Sequence, residues 1–138
     1  MKIFNVIATA ALLATASLQA QAGALQEILS TGVLKVGTTG DWNPMTMKDP
    51  ETNTYSGYDI DVMTALAADL EVEVEFVPTE WKTLVAGVTA GKYHMTGSAS
   101  ISPGRAKATG YSDSYFSLAT VPVTLKSNAD RFKDWGDM

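Results

Sequence analysis

The 138-residue chain has no cysteine and a single histidine, His94. The first absence excludes a disulfide framework and any thiolate metal site. The second leaves an imidazole without co-ligands, so no metal is expected, and no other cofactor either. Basic residues are scarce: ten Lys and Arg stand against fifteen Asp and Glu, a net charge of −5. With no basic cluster, the sequence offers nucleic acid no matching patch, and it has no polybasic stretch for anionic lipid. Only two arginines occur, Arg105 and Arg131. Repeats of fixed period and low-complexity segments are also lacking. After residue 22 there is no apolar run of the roughly 20 residues that a membrane span needs.

The start of the chain has a layout of its own. Lys2 precedes an apolar run from Ile3 to Leu18, which ends in the small-x-small pattern Ala20-Gln21-Ala22. This is the three-part pattern of a secretory signal peptide. Residues 1–22 are expected to be removed after Ala22, leaving a soluble chain that is not embedded in the membrane. That chain has 116 residues and a net charge of −6 once Lys2 is gone. It is long enough for one domain with a core. The pattern implies export out of the cytoplasm.

Along the mature chain, strands alternate with helices. Residues 24–30 suggest a short amphipathic helix with Leu25, Ile28 and Leu29 on one side. Val33-Leu34-Lys35-Val36-Gly37-Thr38 has the composition of a strand. Residues 49–57 are rich in turn formers and predict a surface hairpin or a similar excursion. A helix is expected over 60–70, with Asp59 as its N-cap and Ile60, Met63, Leu66, Ala67 and Leu70 on one face. Residues 72–77 alternate apolar and acidic and close on Pro78, as a strand would. A second helix is expected over 81–90, stopped by Gly91. A short strand over 93–96, a small-residue loop over 97–102 and a helical turn from Pro103 follow. Residues 115–126 have β composition, with Pro122 placing them at an edge or bend. The methionines at 45, 47, 63 and 95 suit core packing. This order predicts an α/β fold with a mostly parallel sheet flanked by helices.

Ligands of such sheets sit beyond the carboxyl ends of the strands. Three loops lie there. The first carries Thr39, Gly40, Asp41 and Trp42, the second Thr79, Glu80 and Trp81, the third Ser98 and Ser100 on the way to Arg105. Two tryptophans at one sheet edge can hold a flat or aliphatic group. The guanidinium of Arg105 is a planar fork that suits a carboxylate. On residue chemistry alone, a solvent-exposed or salt-bridging arginine is the commoner case.

Four segments resemble bacterial extracellular solute-binding protein family 3, the polar amino-acid group of periplasmic binding proteins. They are Val33-Leu34-Lys35-Val36-Gly37-Thr38; Gly57-Tyr58-Asp59-Ile60-Asp61-Val62; the helix from Trp81 to Gly91-Lys92; and Ser98-Ala99-Ser100-Ile101-Ser102-Pro103-Gly104-Arg105 with Tyr111-Ser112-Asp113-Ser114-Tyr115. The resemblance implies a type II periplasmic-binding-protein lobe over 23–129. Residues 130–138 would begin a second lobe that is otherwise missing. It also implies roles. Arg105 would bind a ligand α-carboxylate, supported by Ser100. Ser98 would lie at the α-ammonium, Trp42 and Trp81 would pack on the ligand side chain, and Asp41 and Thr39 would add polar contacts. The implied partners are an amino acid or related small carboxylate and an inner-membrane ABC permease.

The segments 37–42 and 77–81 further resemble the periplasmic cyclohexadienyl (prephenate/arogenate) dehydratases, carbon–oxygen lyases on the same fold. Their catalytic acid lies in the second lobe, so the sequence leaves binding protein and enzyme both open. A sensory module without transport is a third reading. Three positions depart from the family pattern: His94 replaces a usual Asp, Glu71 a helix-ending Gly, and Gly104 a usual Glu or Lys. His94 is read as structural or as tolerated drift.

The export reading has a direct check. N-terminal sequencing of protein recovered from the periplasm should begin at Gly23, and material beginning at Met1 would overturn it.

Overall fold

The run Val33–Thr38, rich in β-branched residues, forms strand β1. It pairs in parallel with Glu73–Pro78, numbered β5 below, in a register running from Val33 opposite Glu73 to Thr38 opposite Pro78. These elements come from a computed structural model that describes residues 23–119 and 121–137. The expected leader, residues 1–22, lies outside the described residues.

The short strand β6, Met95–Thr96, pairs in parallel with the other side of β1 at Val36 and Gly37. The sheet order is therefore β5-β1-β6, all parallel. Parallel neighbours need crossovers, and helices supply them. Helix α1 (Ala24–Thr31) precedes β1 and ends at Gly32, whose φ of 71° is left-handed. Helix α2 (Tyr58–Asp69) and helix α3 (Leu84–Thr89) flank β5 in sequence.

Strand alternation sends Leu34 and Val36 to one face, where they join Ile28, Met63 and Ala67 in the core. Gly37 faces the other way, toward Tyr93. Tyr93 is 2 % exposed, and its hydroxyl donates to the Leu84 carbonyl at 2.6 Å. A Cβ on Gly37 would come within 2.5 Å of that ring, and one on Gly87 of α3 would collide with it as well. The two glycines let the phenol lie between β1 and α3.

Beside this sheet lies a smaller antiparallel one: β2 (Asp41–Trp42), β3 (Thr46–Lys48) and β4 (Tyr55–Ser56). The β3–β4 connection is the hairpin expected over 49–57. Asp49 accepts from the backbone N–H of Glu51 at 2.7 Å and Thr52 at 3.1 Å. Those two donors, Thr52 first, hold its carboxyl below the ordinary value.

Several expectations need correction. Asp59 is not the N-cap of α2. Gly57 occupies that position, and the carbonyls of Pro44 and Met45 take the N–H groups of Tyr58 and Asp59, both at 3.0 Å. The helix thus starts earlier than its apolar periodicity. The helix expected over 81–90 begins only at Leu84, because Trp81 and Thr83 sit in a turn in which Thr83 N–H bonds Glu80 O at 2.9 Å. Helix α1 is anchored by Ile28 alone, while Leu25 and Leu29 are exposed. No strand forms among the described residues of 115–126. That segment is without a sheet partner, and Val121, Val123 and Leu125 are exposed. β composition alone does not make a strand without an edge to pair with. By contrast, Met45 and Met63 are buried, as expected.

Glu71 explains one departure. It has φ of 57°, its N–H bonds Ala68 O and the Val72 N–H bonds Ala67 O, both at 3.0 Å. This is a Schellman turn with glutamate in the left-handed position where glycine is preferred. Glu71→Gly should therefore raise stability by about 0.5–1 kcal/mol. The urea unfolding midpoint checks this.

Candidate functional site

Because β1, β5 and β6 are parallel, Thr38, Pro78 and Thr96 end at one edge of the sheet. The three loops that follow start side by side, and Thr79 N–H bonds Thr38 O at 3.0 Å. The first loop turns at Gly40, φ 69°, whose N–H bonds Thr46 Oγ1 at 3.2 Å and whose carbonyl accepts from Lys48 N–H at 2.9 Å. This fixes Asp41 and Trp42 as an edge of the small sheet.

The second loop meets the first directly. Trp81 Nε1 donates to Asp41 Oδ1 at 3.0 Å. The Trp42 and Trp81 rings meet edge to face, with centroids 5.1 Å apart and planes at 61°. The two indoles form one apolar wall, and the hydrogen bond orients its Trp81 half.

In the third loop, Ser98 has φ of 49°, a conformation uncommon outside glycine. Its N–H donates to Tyr115 Oη at 3.0 Å, and Tyr115 O–H donates in turn to Asp59 Oδ1 at 2.9 Å. Asp59 is 2 % exposed. Its Oδ2, like Thr38 Oγ1, is buried without a hydrogen-bond partner among the described residues. A Cβ on Gly97 would lie 2.7 Å from that Oδ2, so only glycine fits above the carboxylate.

Arg105 sits in the short helix α4 (Pro103–Ala106). Ser102 caps it, accepting from Arg105 N–H at 3.3 Å, and Pro103 takes the first turn as expected. The guanidinium reaches back, Nη1 donating to Ser100 O at 3.0 Å, and Tyr111 Oη donates to the same oxygen at 3.3 Å.

Two cavities open at this edge. One of about 20 Å³ is lined by Thr38, Thr39, Trp42, Asp59, Trp81 and Ser98, among others. A second, of about 450 Å³, runs between the 98–101 loop and residues 109–118, with Trp42, Ser98 and Ser100 in its lining. Of the residues expected from sequence, Thr39, Trp42, Trp81 and Ser98 share the first cavity, and Ser100 joins at the second. Asp41 acts on them through Trp81. Arg105 is half-buried, lines neither cavity, and touches the site through Ser100. Thr38 and Gly97 stand at the strand ends where the sequence expects the site, and the structure adds Asp59 and Tyr115, which sequence reasoning does not place there. Asp59 and Tyr115 stand inside the two motifs at 57–62 and 111–115, and that is the only signal of them in the sequence.

His94 also lines the second cavity, but its ring is tied to the backbone of β1. Its Nδ1 accepts from Lys35 N–H at 3.0 Å, and its backbone N–H bonds Lys35 O at 2.9 Å. It fixes the start of β6 against β1, which is the structural role. Among the described residues no three His, Cys, Asp or Glu side chains are placed to hold a metal.

The profile of the bacterial extracellular solute-binding proteins, family 3, matches residues 34–133. The chain belongs to this family. It is 36 % identical over 132 residues to the cyclohexadienyl dehydratase of Pseudomonas aeruginosa, covering 95 % of this chain and 49 % of that protein. It is 34 % identical over 103 residues to an L-cystine-binding protein of Bacillus subtilis, covering 75 % of this chain and 38 % of the relative. It therefore spans half or less of these relatives' length. Among solved structures, an ancestral amino-acid-binding protein described as a precursor of cyclohexadienyl dehydratase superposes with a TM-score of 0.74 at 38 % identity, over 83 % of this chain and 51 % of that one. Arginine-bound domain 1 of the T. maritima protein ArgBP gives 0.60 at 32 % identity, over 65 % and 71 %. The family is an extracellular one, and among the described residues no helix is long and apolar enough to cross a membrane.

Burial raises the Tyr115 phenol above its ordinary value of 10.0; the Ser98 N–H opposes this and Asp59 adds to it. The folded state thus keeps a proton that the unfolded chain releases. Its contribution is complete below pH 10.0 and is lost as pH rises through the folded value. Burial raises Tyr55 in the same direction, so a comparison is needed to isolate Tyr115. The stability difference between the protein and its Tyr115→Phe variant should shrink as pH climbs above 10.0. Urea titrations at stepped pH measure it.

Proposed function

We propose that this chain is the first lobe of a periplasmic solute receptor that captures an amino acid or a related small carboxylate for an inner-membrane ABC permease. In this reading residues 1–22 are the export leader, 23–129 the lobe, and 130–138 the entry to a second lobe. Relatives about twice as long support that division.

The observation that carries the reading is the anchored arginine. Nη1 of Arg105 is tied to Ser100 O, which leaves the guanidinium's other N–H donors beside a loop of serines. A ligand carboxylate would take two of them, with Ser100 in support. Ser98 would meet the ammonium group. The Trp42–Trp81 wall would pack the side chain, with Asp41 and Thr39 at its polar margin.

A second reading has its own support. The dehydratase of Pseudomonas aeruginosa matches 95 % of the chain, and a structure of an ancestral cyclohexadienyl dehydratase is 43 % identical over 82 % of it. That reaction expels the ring hydroxyl of prephenate as water while carbon dioxide leaves, giving phenylpyruvate. It needs a general acid near the departing oxygen. The same carboxylate clamp would serve it. A receptor that signals rather than transports would also use this site.

One set of measurements separates these. Calorimetry of the purified protein with L-arginine, L-glutamine, L-histidine and L-cystine should show binding of at least one. Arg105→Ala should weaken it by about 2–5 kcal/mol, as when one partner of a buried charge pair is removed. Unchanged affinity would overturn the carboxylate role. Phenylpyruvate formation from prephenate would favour the enzyme.

A further inference from the structure

Asp59 and Tyr115 are unused by the clamp just described, yet they are joined to it. Asp59 sits in the first turn of α2, whose next inward residues, Ile60 and Met63, are buried. That makes its carboxylate a fixed point of the core. A phenol has one proton. Here Tyr115 commits it to Asp59 Oδ1, so the oxygen presents only lone pairs toward Ser98. The Ser98 N–H fills one of them. Because the Ser98 N–H can only donate, the direction of both hydrogen bonds is fixed.

The geometry around this chain of bonds is tight. Gly97 lies on Asp59, and a Cβ at that position would also come within 3.1 Å of Tyr115 Oη. Tyr58, also on α2, stacks on the Tyr115 ring at 6.3 Å with planes 18° apart. Ser98 keeps a left-handed backbone that a serine does not adopt by preference. Something must hold it there, and the bond to Tyr115 is the constraint in contact with it.

We propose that Asp59 and Tyr115 are positioning residues, which lock the Ser98–Ser100 loop into its binding conformation through the Ser98 N–H. This rests on the reading that the loop binds a small solute. The loop is shaped from beneath by a core carboxylate, and the ligand does not need to order it.

The test has a ligand-free arm and a binding arm. In the first, amide exchange by NMR is followed in the protein, in Tyr115→Phe and in Asp59→Asn. Tyr115→Phe keeps the ring and its stacking but removes the acceptor. The Ser98 amide should exchange at least about tenfold faster in it, while amides of Ile60 and Met63 are unchanged. In Asp59→Asn the phenol absorbance titration of Tyr115 should move back toward lower pH. In the second arm, the affinity for whichever of L-arginine, L-glutamine, L-histidine and L-cystine binds should fall about tenfold in Tyr115→Phe, and combining it with Asp59→Asn should add less than the sum. Unchanged Ser98 exchange overturns the proposal, and so does faster exchange with unchanged affinity. If the unaltered protein binds none of the four, the solute-binding reading fails. The claim that Tyr115 holds Ser98 is then decided by exchange alone.

Discussion

A carboxylate out of water is the constraint on which this site is built. Removing an ionised group from solvent is costly unless its oxygens find donors. Asp59 obtains one from Tyr115, and the backbone above it must be glycine at position 97 because no Cβ fits. From those two facts follow the place of the 111–115 segment and the turn at Ser98. The residue that shapes the cleft is thus a member of helix α2, while the residues exposed in the cleft belong to loops. That division suits recognition: loops carry the contacts and a rigid element fixes their geometry.

The sheet imposes the second condition. Parallel strands put all their carboxyl ends on one side, so three loops separated in sequence become neighbours. The alignment must survive the packing of α3, and the Tyr93 wedge secures it. Gly37 and Gly87 leave room for the ring, and its hydroxyl donates to the Leu84 carbonyl at the start of α3. His94 in turn bonds the Lys35 backbone at the entry to β6. Both residues precede the 95–96 strand, which has only two residues and would otherwise register weakly.

Much of this could be read from sequence. The apolar–acidic alternation of 72–77 and the composition of 33–38 are strong local signals; β1 lies where its signal puts it, and β5 runs one residue later, taking in Pro78. The three loops converge because their order along a parallel sheet requires it. The remainder was hidden by tertiary effects. Asp59 has the residue type and place of an N-cap, but carbonyls of Pro44 and Met45, outside the helix and before the hairpin, do that work and release the side chain inward. Trp81 has helical spacing to Leu84 and Val85, yet its indole is drawn to Asp41, forty residues away. Residues 115–126 have β character that the described structure leaves unpaired, since a strand is a property of two segments. No pattern within one segment reports such partners.

The motif Tyr111-Ser112-Asp113-Ser114-Tyr115 reads as one feature in the sequence, but its two tyrosines act at different points of the same loop. Tyr115 takes the Ser98 N–H, and Tyr111 donates to Ser100 O, where Arg105 also binds. The serine loop is therefore held at both ends by neighbouring aromatic hydroxyls, one as acceptor and one as donor. Ordering a loop at the moment of binding costs affinity, and a loop ordered beforehand avoids that cost. The same hydrogen bonds limit what can bind. With the Ser98 N–H and the Ser100 carbonyl already engaged, the carboxylate of the proposed ligand would rely on the remaining donors of Arg105 and on the serine hydroxyls. In that proposal the carboxylate would meet the guanidinium edge-on, with the rest of the molecule directed toward the two tryptophans.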